Sequence, residues 1–139
     1  RFTVEFPGTP VVQPANPVQT AIGPVNIFSV DLDLPNVGYY AVTFTDYPPN
    51  AVGTPDAVLE GAKNGAVSNV HGTLVDEKRI TVQGNKGLDL KVVASQHTIF
   101  QRLVIAQNRL YQLIVVVSGP RATVPPDVLH FDQSFVITH

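Results

Sequence analysis

The sequence NRLYQLIVVVSG at residues 108–119 contains the most apolar run of the chain, residues 113–117, directly after a polar start. Side chains alternate between the two faces of a strand, so a strand through this run is apolar on both faces. Such strands are typical of a sheet that is covered on both sides. The stretch therefore predicts a central core strand, and Asn108 and Arg109 are predicted to form the hairpin turn before it.

Four further strands are predicted in the first half, where alternating apolar residues lie between clusters of proline and glycine. They are RFTVEF (1–6), PVQTAI (17–22), VNIFSVDLDL (25–34) and YYAVTFTD (39–46). In the last two, the alternation predicts that Leu34 pairs with Tyr40 across the five-residue loop 35–39. A shift of one residue would place Asp31 and Asp33 on the apolar face, which burial forbids.

Three strands of the second half precede the opening stretch. They are TLVDEKRITVQ (73–83), LDLKVVAS (88–95) and HTIFQRLVIAQ (97–107). The first two are joined through GNKG (84–87), which is a hairpin turn signal. Strands that follow one another through short turns predict an antiparallel meander.

Two helices are predicted, one before and one after this run of strands. Thr54 suits the N-cap and Pro55 the first helical position of the earlier helix. Its apolar residues recur at helical spacing, at Leu59, Ala62, Ala66 and Val70. Gly61 and Gly65 are predicted to let this helix lie close to a sheet. The later helix is predicted to begin near Pro126, and the order of elements predicts an α+β fold with an antiparallel sheet.

The composition limits the classes of function. The chain has 139 residues, which fits a single domain over residues 1–139, and only 14% of them are charged. A net charge of −2 carries no signal for a nucleic-acid partner. The chain has no cysteine, and no apolar run approaches the roughly 20 residues that a membrane span needs. We therefore predict no disulfide, no nucleic-acid partner and no membrane insertion by this segment.

The first residue is Arg1 and the chain contains no methionine. A signal or anchor segment that has been removed is one explanation. We therefore expect an exported or cell-envelope location rather than a cytoplasmic one.

The second half of the chain carries most of the basic residues. Six of them could form a patch if their strands are neighbours: Lys78, Arg79, Lys86, Lys91, Arg102 and Arg109. The alternative is that they form an ordinary solvated face of the sheet.

No set of residues has the spacing of a catalytic site. His130, Asp132 and Ser134 lie within five residues, but triad members are normally gathered from distant segments, and no G-x-S-x-G motif is present. Asp31 and Asp33 share one face of a predicted strand, but no calcium-binding loop pattern surrounds them. These residues are expected to have structural or solvated roles.

Metal and phosphate sites are not indicated either. None of the four histidines shows metal-ligand spacing, although His71 and His97 could meet near strand ends. The glycine-containing stretches GNKG and GAKNGAV lack the pattern of a phosphate-binding loop. We predict that the chain is not an enzyme and that it binds no metal and no cofactor.

Tyrosine and arginine side chains supply a disproportionate share of the binding energy at interfaces. The binding candidates are therefore Tyr39, Tyr40, Arg102, Arg109 and Tyr111. The alternative is that the tyrosines pack at the sheet edge and the arginines are solvated.

The sequence resembles PsbP-like domains along nearly its whole length. The motifs that carry the resemblance are FTVEFPGTP (2–10), YYAVTFTDYP (39–48), AVLEGAKNGAV (57–67), RLVIAQNRLYQLIVVV (102–117) and VLHFDQSFVI (128–137). They are similar to the strand, helix and hairpin motifs of those domains and occur in the same order. The resemblance implies an antiparallel β-sheet with helices on both faces, an α/β/α sandwich.

The resemblance also implies a non-enzymatic domain, often exported or membrane-tethered. Photosystem-associated members of the family assist a metal-containing complex, but no metal ligands of that type are found in this sequence. The first hypothesis is a non-catalytic accessory or protein-interaction domain whose partner is another protein. The alternative is a small-ligand-binding or minor hydrolytic domain, with a pocket between the sheet and the proline-rich segments lined by Tyr40, Arg102 and Tyr111.

Overall fold

The computed structural model describes residues 2–20, 23–35, 38–47, 54–119 and 125–138. These residues form ten strands and two helices. In chain order they are β1 (Phe2–Thr3), β2 (Val11–Val12), β3 (Asn16–Thr20), β4 (Gly23–Leu34), β5 (Gly38–Asp46), α1 (Pro55–Asn69), β6 (Thr73–Val82), β7 (Asn85–Ala94), β8 (His97–Ala106), β9 (Arg109–Ser118), α2 (Pro126–Ser134) and β10 (Val136–Ile137).

Eight of the strands form one antiparallel sheet in the order β2-β4-β5-β9-β8-β7-β6, with β3 beside β4. The short strands β1 and β10 pair separately. β9, which contains the apolar run of the opening stretch, lies in the middle of the order, between β5 and β8. The predicted α+β class, with an antiparallel sheet and two helices, is confirmed.

The hairpin between β4 and β5 differs from its predicted register. Leu34 pairs with Gly38 and Leu32 with Tyr40, so the predicted pairing of Leu34 with Tyr40 is wrong by two residues. Because the shift is even, every side chain stays on its predicted face. The strand extends to Gly38 because this residue has no side chain: an added Cβ would lie 3.0 Å from the Val116 carbonyl oxygen.

Two predicted turns are also displaced. The turn after β6 is formed by Gln83 and Gly84, both with positive φ, and not by residues 84–87. Gly87 lies inside β7, where an added Cβ would come 2.5 Å from a backbone oxygen of β8. The turn before β9 is formed by Gln107, at φ +57°, and the residue after it. Arg109 is therefore the first residue of β9 and not part of the turn.

The two N-terminal strands are shorter or displaced relative to the sequence prediction. Residue 1 of the strand predicted over residues 1–6 lies outside the described part of the chain, and among residues 2–6 only residues 2 and 3 pair, with β10. The strand predicted over residues 17–22 is found at residues 16–20, and its last two residues lie outside the described part of the chain.

Both helices begin where the sequence predicts. The hydroxyl oxygen of Thr54 caps α1 by accepting a hydrogen bond from the Ala57 amide at 3.2 Å. α2 begins at Pro126. The explanation for Gly61 and Gly65 is wrong, however, because a Cβ added at either position would meet nothing within 4 Å. Close packing on the sheet therefore does not require these glycines.

The buried apolar residues form two clusters. The α2 cluster joins residues of α2 and the segment that follows it to the strands: Tyr40, Val42, Phe100, Val104, Tyr111, Leu113, Val115, Val117, Val128, Phe131 and Phe135. The α1 cluster joins one residue of α1 to the strands: Leu59, Leu88, Leu90, Leu103, Ile105 and Leu110.

The central strand β9 is not equally covered on its two faces. Leu113, Val115 and Val117 are at most 5% exposed and belong to the α2 cluster. Ile114 and Val116, on the other face, are only partly buried. The expectation that both faces of this strand are covered therefore holds fully for one face only.

Candidate functional site

The five binding candidates do not converge on one site. Tyr40 and Tyr111 are each 2% exposed and belong to the α2 cluster. The ring of Tyr40 packs edge-on against Phe131, and the ring of Tyr111 packs edge-on against Phe135, both with 5.3 Å between ring centres. A partner could reach these two rings only if the core opened.

Arg109 lies at the start of β9 in a charged hydrogen-bonded pair. Its Nε and Nη2 atoms donate to the two carboxylate oxygens of Asp46 at 2.7 and 2.8 Å. Its guanidinium carbon lies 4.5 Å from the centre of the Phe44 ring. The hydrogen bond raises the pKa of Arg109 and holds the pKa of Asp46 below its ordinary value. Because Arg109 and Asp46 are cross-strand partners, the pair also fixes the register of β9 on β5.

Tyr39 faces the acidic side chains of β4. Its hydroxyl group donates to Asp31 Oδ2 at 2.9 Å, and Gln13 Nε2 donates to Oδ1 of the same carboxylate at 2.9 Å. Burial raises the pKa of Tyr39 to about 12, and the hydrogen bond to Asp31 adds to the effect. The Asp31 carboxylate therefore serves as an acceptor for two side chains of its own chain.

Arg102 lies in a row of charges that crosses three strands. Lys78, Asp89 and Arg102 are successive cross-strand neighbours on β6, β7 and β8. Arg102 donates from Nε and Nη2 to the two oxygens of Asp89 at 2.7 and 3.0 Å, and from Nη1 to the backbone oxygen of Asp132 at 3.2 Å. Burial would lower the pKa of Arg102, but the hydrogen bonds and charge of Asp89 outweigh it and the pKa is raised. The guanidinium group is therefore held in its charged form between the sheet and α2.

The carboxyl group of Asp132 lies beside this ion pair. Arg102 directs its paired hydrogen bonds to Asp89 and reaches Asp132 only at the backbone. Burial raises the pKa of Asp132 to about 7; the charge of Arg102 lowers it in part, and the charge of Asp89 raises it. Asp132 therefore changes its charge near neutral pH, whereas an ordinary carboxyl group does so near pH 4.

These charged residues line a groove of about 590 Å³ between α2 and the outer strands of the sheet, which we call the Arg102 groove. Its lining combines charged and apolar side chains: Val75, Asp76, Lys78, Asp89, Leu90, Lys91, Phe100, Gln101, Arg102, Leu129 and Asp132. Val75 and Leu129 are large apolar side chains that remain 51% and 44% exposed. The groove therefore offers both charge and exposed apolar surface to a partner.

The basic residues of the second half do not form one continuous patch. Arg79 and Lys86 both form ion pairs with Asp56, at 3.5 and 3.3 Å. Lys78 and Lys91 both line the Arg102 groove, and neither forms an ion pair with any described residue. The two ammonium groups in the groove are thus available to an external anion.

His130, Asp132 and Ser134 do not form a catalytic triad. His130 Nε2 lies 2.6 Å from Glu5 Oε2 on the exposed surface. Ser134 Oγ accepts a hydrogen bond from the backbone amide of Glu5 at 2.8 Å. Asp132 lines the Arg102 groove instead. The three side chains therefore serve different contacts.

Metal ligands are not brought together in the described ranges. There, no group of three or more histidine, cysteine, aspartate or glutamate side chains is placed to hold a metal ion. His71 and His97 are thus not part of such a group, nor are Asp31 and Asp33.

A second groove, of about 740 Å³, lies between α1 and the sheet, and we call it the α1 groove. Its lining is mostly small or apolar: Tyr47, Ala57, Val58, Gly61, Ala62, Gly65, Ala66, Asn69, Val70, Val92, Ile99, Gln101, Leu110, Gln112, Ile114 and Val116. On the sheet side, Gln101 Nε2 donates to Gln112 Oε1 at 2.7 Å.

The predicted ligand pocket is not found as proposed from the sequence. Arg102 lines the Arg102 groove, whereas Tyr111 lines a separate depression at the turn between β8 and β9. Tyr40 lines neither of these nor the α1 groove. The three residues therefore do not share any of these three grooves.

The sequence indicated Arg102 as a binding candidate but did not indicate the two residues that hold its guanidinium group. Asp89 lies opposite Arg102 only because β7 and β8 pair in that register, and Asp132 arrives from α2, 30 residues away in sequence. The signal for Asp89 was present, as a charged residue between Leu88 and Leu90 in a strand. Gln101 and Gln112 give a similar signal, because each interrupts an apolar face.

Comparison with known proteins finds similarity in structure only. No family model matches the sequence, and no curated protein matches it significantly. Among solved structures, the chain is similar to PA94, a protein of unknown function from Pseudomonas aeruginosa, with 11% identity, a TM-score of 0.49 and coverage of 86% of this chain and 89% of that chain. It is also similar to cyanobacterial PsbP, CyanoP, from Synechocystis sp. PCC 6803, with 13% identity, a TM-score of 0.55 and coverage of 89% of this chain and 92% of that chain.

The sequence predicts no membrane insertion by this segment, and the two helices agree with that prediction. Within the described residues, neither helix has the length and hydropathy that crossing a membrane requires.

The likeness to CyanoP extends over nearly the whole length of both chains and agrees with the resemblance of the sequence motifs. The chain therefore has a PsbP-like fold.

Proposed function

We propose that this chain is a non-catalytic accessory domain that works by binding another protein. The observation that carries the proposal is the likeness to cyanobacterial PsbP over 89% of this chain and 92% of that one. The resemblance of the sequence to PsbP-like domains implies a non-enzymatic domain, which agrees with this proposal.

The proposal includes one domain over residues 1–139 with α1 and α2 on opposite faces of the sheet. Neighbouring residues of a strand point to opposite faces. Leu103 of β8 belongs to the α1 cluster and the next residue, Val104, belongs to the α2 cluster. This alternation supports the three-layer arrangement.

The Arg102 groove is the proposed contact surface. Lys78 and Lys91 lack ionic partners among the described residues and favour acidic side chains in the part of the partner that meets them. Asp76 and Asp132 line the same groove, likewise without an ion pair in the described part of the chain, and favour a basic side chain beside them. The exposed side chains of Val75 and Leu129 favour an apolar residue in the same segment. Of the five binding candidates, Arg102 lies in this groove.

Tyr39 and Arg109 lie elsewhere on the described surface, in contacts with Asp31 and Asp46. Contact of either residue with a partner remains a proposal, as it does for Tyr40 and Tyr111. Export or tethering also remains a proposal. The N-terminal sequence of the full gene product tests it, because a signal or anchor segment would precede the residues studied.

The test uses charge reversal in and outside the groove. Proteins captured from native extract are identified, and the affinity of the purified pair is then titrated. The variant Lys78→Glu/Lys91→Glu reverses the two groove lysines. The matched control, Arg79→Glu/Lys86→Glu, also changes one residue on β6 and one on β7, but these residues pair with Asp56.

We expect the groove variant to weaken binding at least about tenfold and the control variant to change it by less than about twofold. An equal loss in both variants would assign the effect to net charge and exclude the groove as the contact surface. Reproducible turnover of a substrate in a broad hydrolase screen would refute the non-catalytic role.

A further inference from the structure

The α1 groove has the size and lining of a small-molecule site, and it shares only Gln101 with the lining of the Arg102 groove. Its volume of about 740 Å³ is within the range of roughly 300–1,000 Å³ that ligand pockets occupy. Such pockets are mostly apolar and contain a few polar groups that orient the ligand. The sheet side, the helix side and one polar pair of the α1 groove show how it meets this description.

The sheet side of the groove leaves apolar surface uncovered in the middle of the sheet. Ile114 and Val116 belong to the central strand β9, yet they are only partly buried and line the groove. Covering a large aliphatic side chain fully is worth about 1.5–3 kcal/mol. An apolar ligand placed on these two residues would gain part of that free energy.

The helix side of the groove has empty space beside two glycines. Gly61 and Gly65 are four residues apart on α1 and both line the groove. Glycine inside a helix costs roughly 0.5–1 kcal/mol relative to alanine. A Cβ at either position would meet nothing within 4 Å, so packing within the chain does not explain the two glycines. They leave space that a ligand can fill.

A polar pair supplies the orienting group. Gln101 is 7% exposed, and its Nε2 donates to Gln112 Oε1 at 2.7 Å. Within the described residues this leaves the Gln101 carbonyl oxygen as an acceptor and the Gln112 amide nitrogen as a donor without a hydrogen-bond partner. No fully buried side-chain nitrogen or oxygen of the described residues lacks a hydrogen bond, so these two atoms are not fully buried, and both glutamines line the groove. One acceptor beside one donor matches a carboxamide group, which carries one of each.

The uncharged lining of the groove limits which molecules can bind there. None of the described residues that line the groove is charged. A charged group buried there would have no opposite charge to offset its loss of water. We propose that the α1 groove binds a small uncharged molecule that has an apolar chain or ring and one carboxamide-type head group.

Three probes with the same seven-carbon alkyl chain test the head group: octanamide, octanoate and heptylammonium. Each is titrated into the whole chain and followed by nuclear magnetic resonance shifts of the backbone amides. We expect saturable 1:1 binding of octanamide, with shifts at Gly61, Gly65, Ile114 and Val116. The two charged probes should bind at least about tenfold more weakly. Equal binding of all three probes, or no saturable binding of octanamide, would overturn the proposal.

Two leucine variants on α1 test the location. Gly65→Leu fills the groove and should weaken octanamide binding at least about tenfold. Asn64→Leu adds the same side chain at an exposed position outside the groove lining and should leave binding within about twofold of the parent. Gly61→Leu replaces Gly65→Leu if the latter fails to fold. An equal loss in the filled and control variants would exclude the groove as the site.

The double variant Gln101→Leu/Gln112→Leu tests the polar pair, and both residues are changed so that neither amide is left unpaired. Octanamide binding should weaken, whereas the uncharged apolar dye N-phenyl-1-naphthylamine should still bind. Retention of full octanamide affinity in this variant would overturn the role of the two glutamines.

Discussion

The two hydrophobic clusters of the molecule are packed in different ways. The α2 cluster is rich in aromatic rings, and rings from β1 and from the segment that follows it add to it: Phe2 contacts Tyr111 and Phe135, and Phe6 contacts Phe131, at 5.1–5.8 Å between ring centres. The α1 cluster contains only leucine and isoleucine among its buried residues, and Leu59 is the buried residue that α1 contributes.

The difference gives the sheet a closed side, which carries the α2 cluster, and an open side, which carries the α1 cluster and the α1 groove. Aromatic side chains have large areas and fill the space between α2 and the strands. On the opposite side, where we propose that α1 lies, glycine and alanine on α1 leave the α1 groove between the helix and β9. The four predictions that follow test this comparison.

The largest effect is expected for a charge introduced on the closed side of β9. Val115 is 0% exposed, so Val115→Asp buries a carboxylate without a partner and should cost more than about 4 kcal/mol, which abolishes soluble expression. Val116→Asp, on the open side, should cost about 1–2 kcal/mol and leave a soluble protein. Soluble yield and thermal melting of the two variants provide the measurement. Normal melting of Val115→Asp would show that β9 is not a closed core strand.

The second effect compares truncations in the two clusters. Phe131 is 0% exposed and contacts the rings of Phe6 and Tyr40, so Phe131→Ala should destabilise the fold by about 3–5 kcal/mol. Leu59 is 1% exposed, and Leu59→Ala should cost about 2–3 kcal/mol because the neighbouring groove already admits solvent. Urea unfolding at one pH measures both values. A larger cost at Leu59 would contradict the comparison.

The third effect is the pH dependence of Asp132. Its pKa is raised to about 7 in the folded chain, above the value near 3.9 of an unfolded chain. The folded state therefore binds the proton more tightly, and the resulting stability is fully present below about pH 4 and is lost as the pH rises through 7.

Asp132→Asn removes this loss. We expect the variant to gain about 1–3 kcal/mol relative to the parent chain between pH 5 and pH 8, because the buried group no longer ionises beside Asp89. Asp127→Asn, at an exposed position on the same helix, is the control and should keep the pH-dependent loss of the parent chain, because it retains Asp132. A parent and an Asp132→Asn variant with the same pH profile would refute the raised pKa.

Much of the fold could be predicted because alternation and capping are local properties. The alternation in β4 and β5 determined which side chains share a face, although it did not fix the pairing of Leu34. That pairing depends on Gly38, whose backbone lies against Val116 in a strand 78 residues away. Two turns lie at other residues than predicted, because Gln83 and Gln107 adopt positive φ although neither is a glycine or an asparagine.

The candidate site was less predictable because it is assembled by register. Residue type alone singled out Arg102, which lines a groove, but it also singled out Tyr40 and Tyr111, whose rings are buried. Tyrosine is as suitable for an aromatic core as for an interface, so composition cannot separate the two roles. The Gln101–Gln112 pair needed the antiparallel pairing of β8 and β9 before the two amides could be placed near each other.

The smallest predicted effect is a gain in stability, and it is expected for a substitution on the open side of the sheet. Gly65→Ala should stabilise the chain by about 0.5–1 kcal/mol, because alanine favours the helix and its Cβ meets nothing within 4 Å. Gly87→Ala is the control, since a Cβ there would lie 2.5 Å from the Leu103 carbonyl oxygen and must distort β7. Thermal melting should therefore rise for the first variant and fall for the second. Destabilisation by Gly65→Ala would mean that α1 lies closer to β9 than the α1 groove requires, and the open side would then be packed like the closed one.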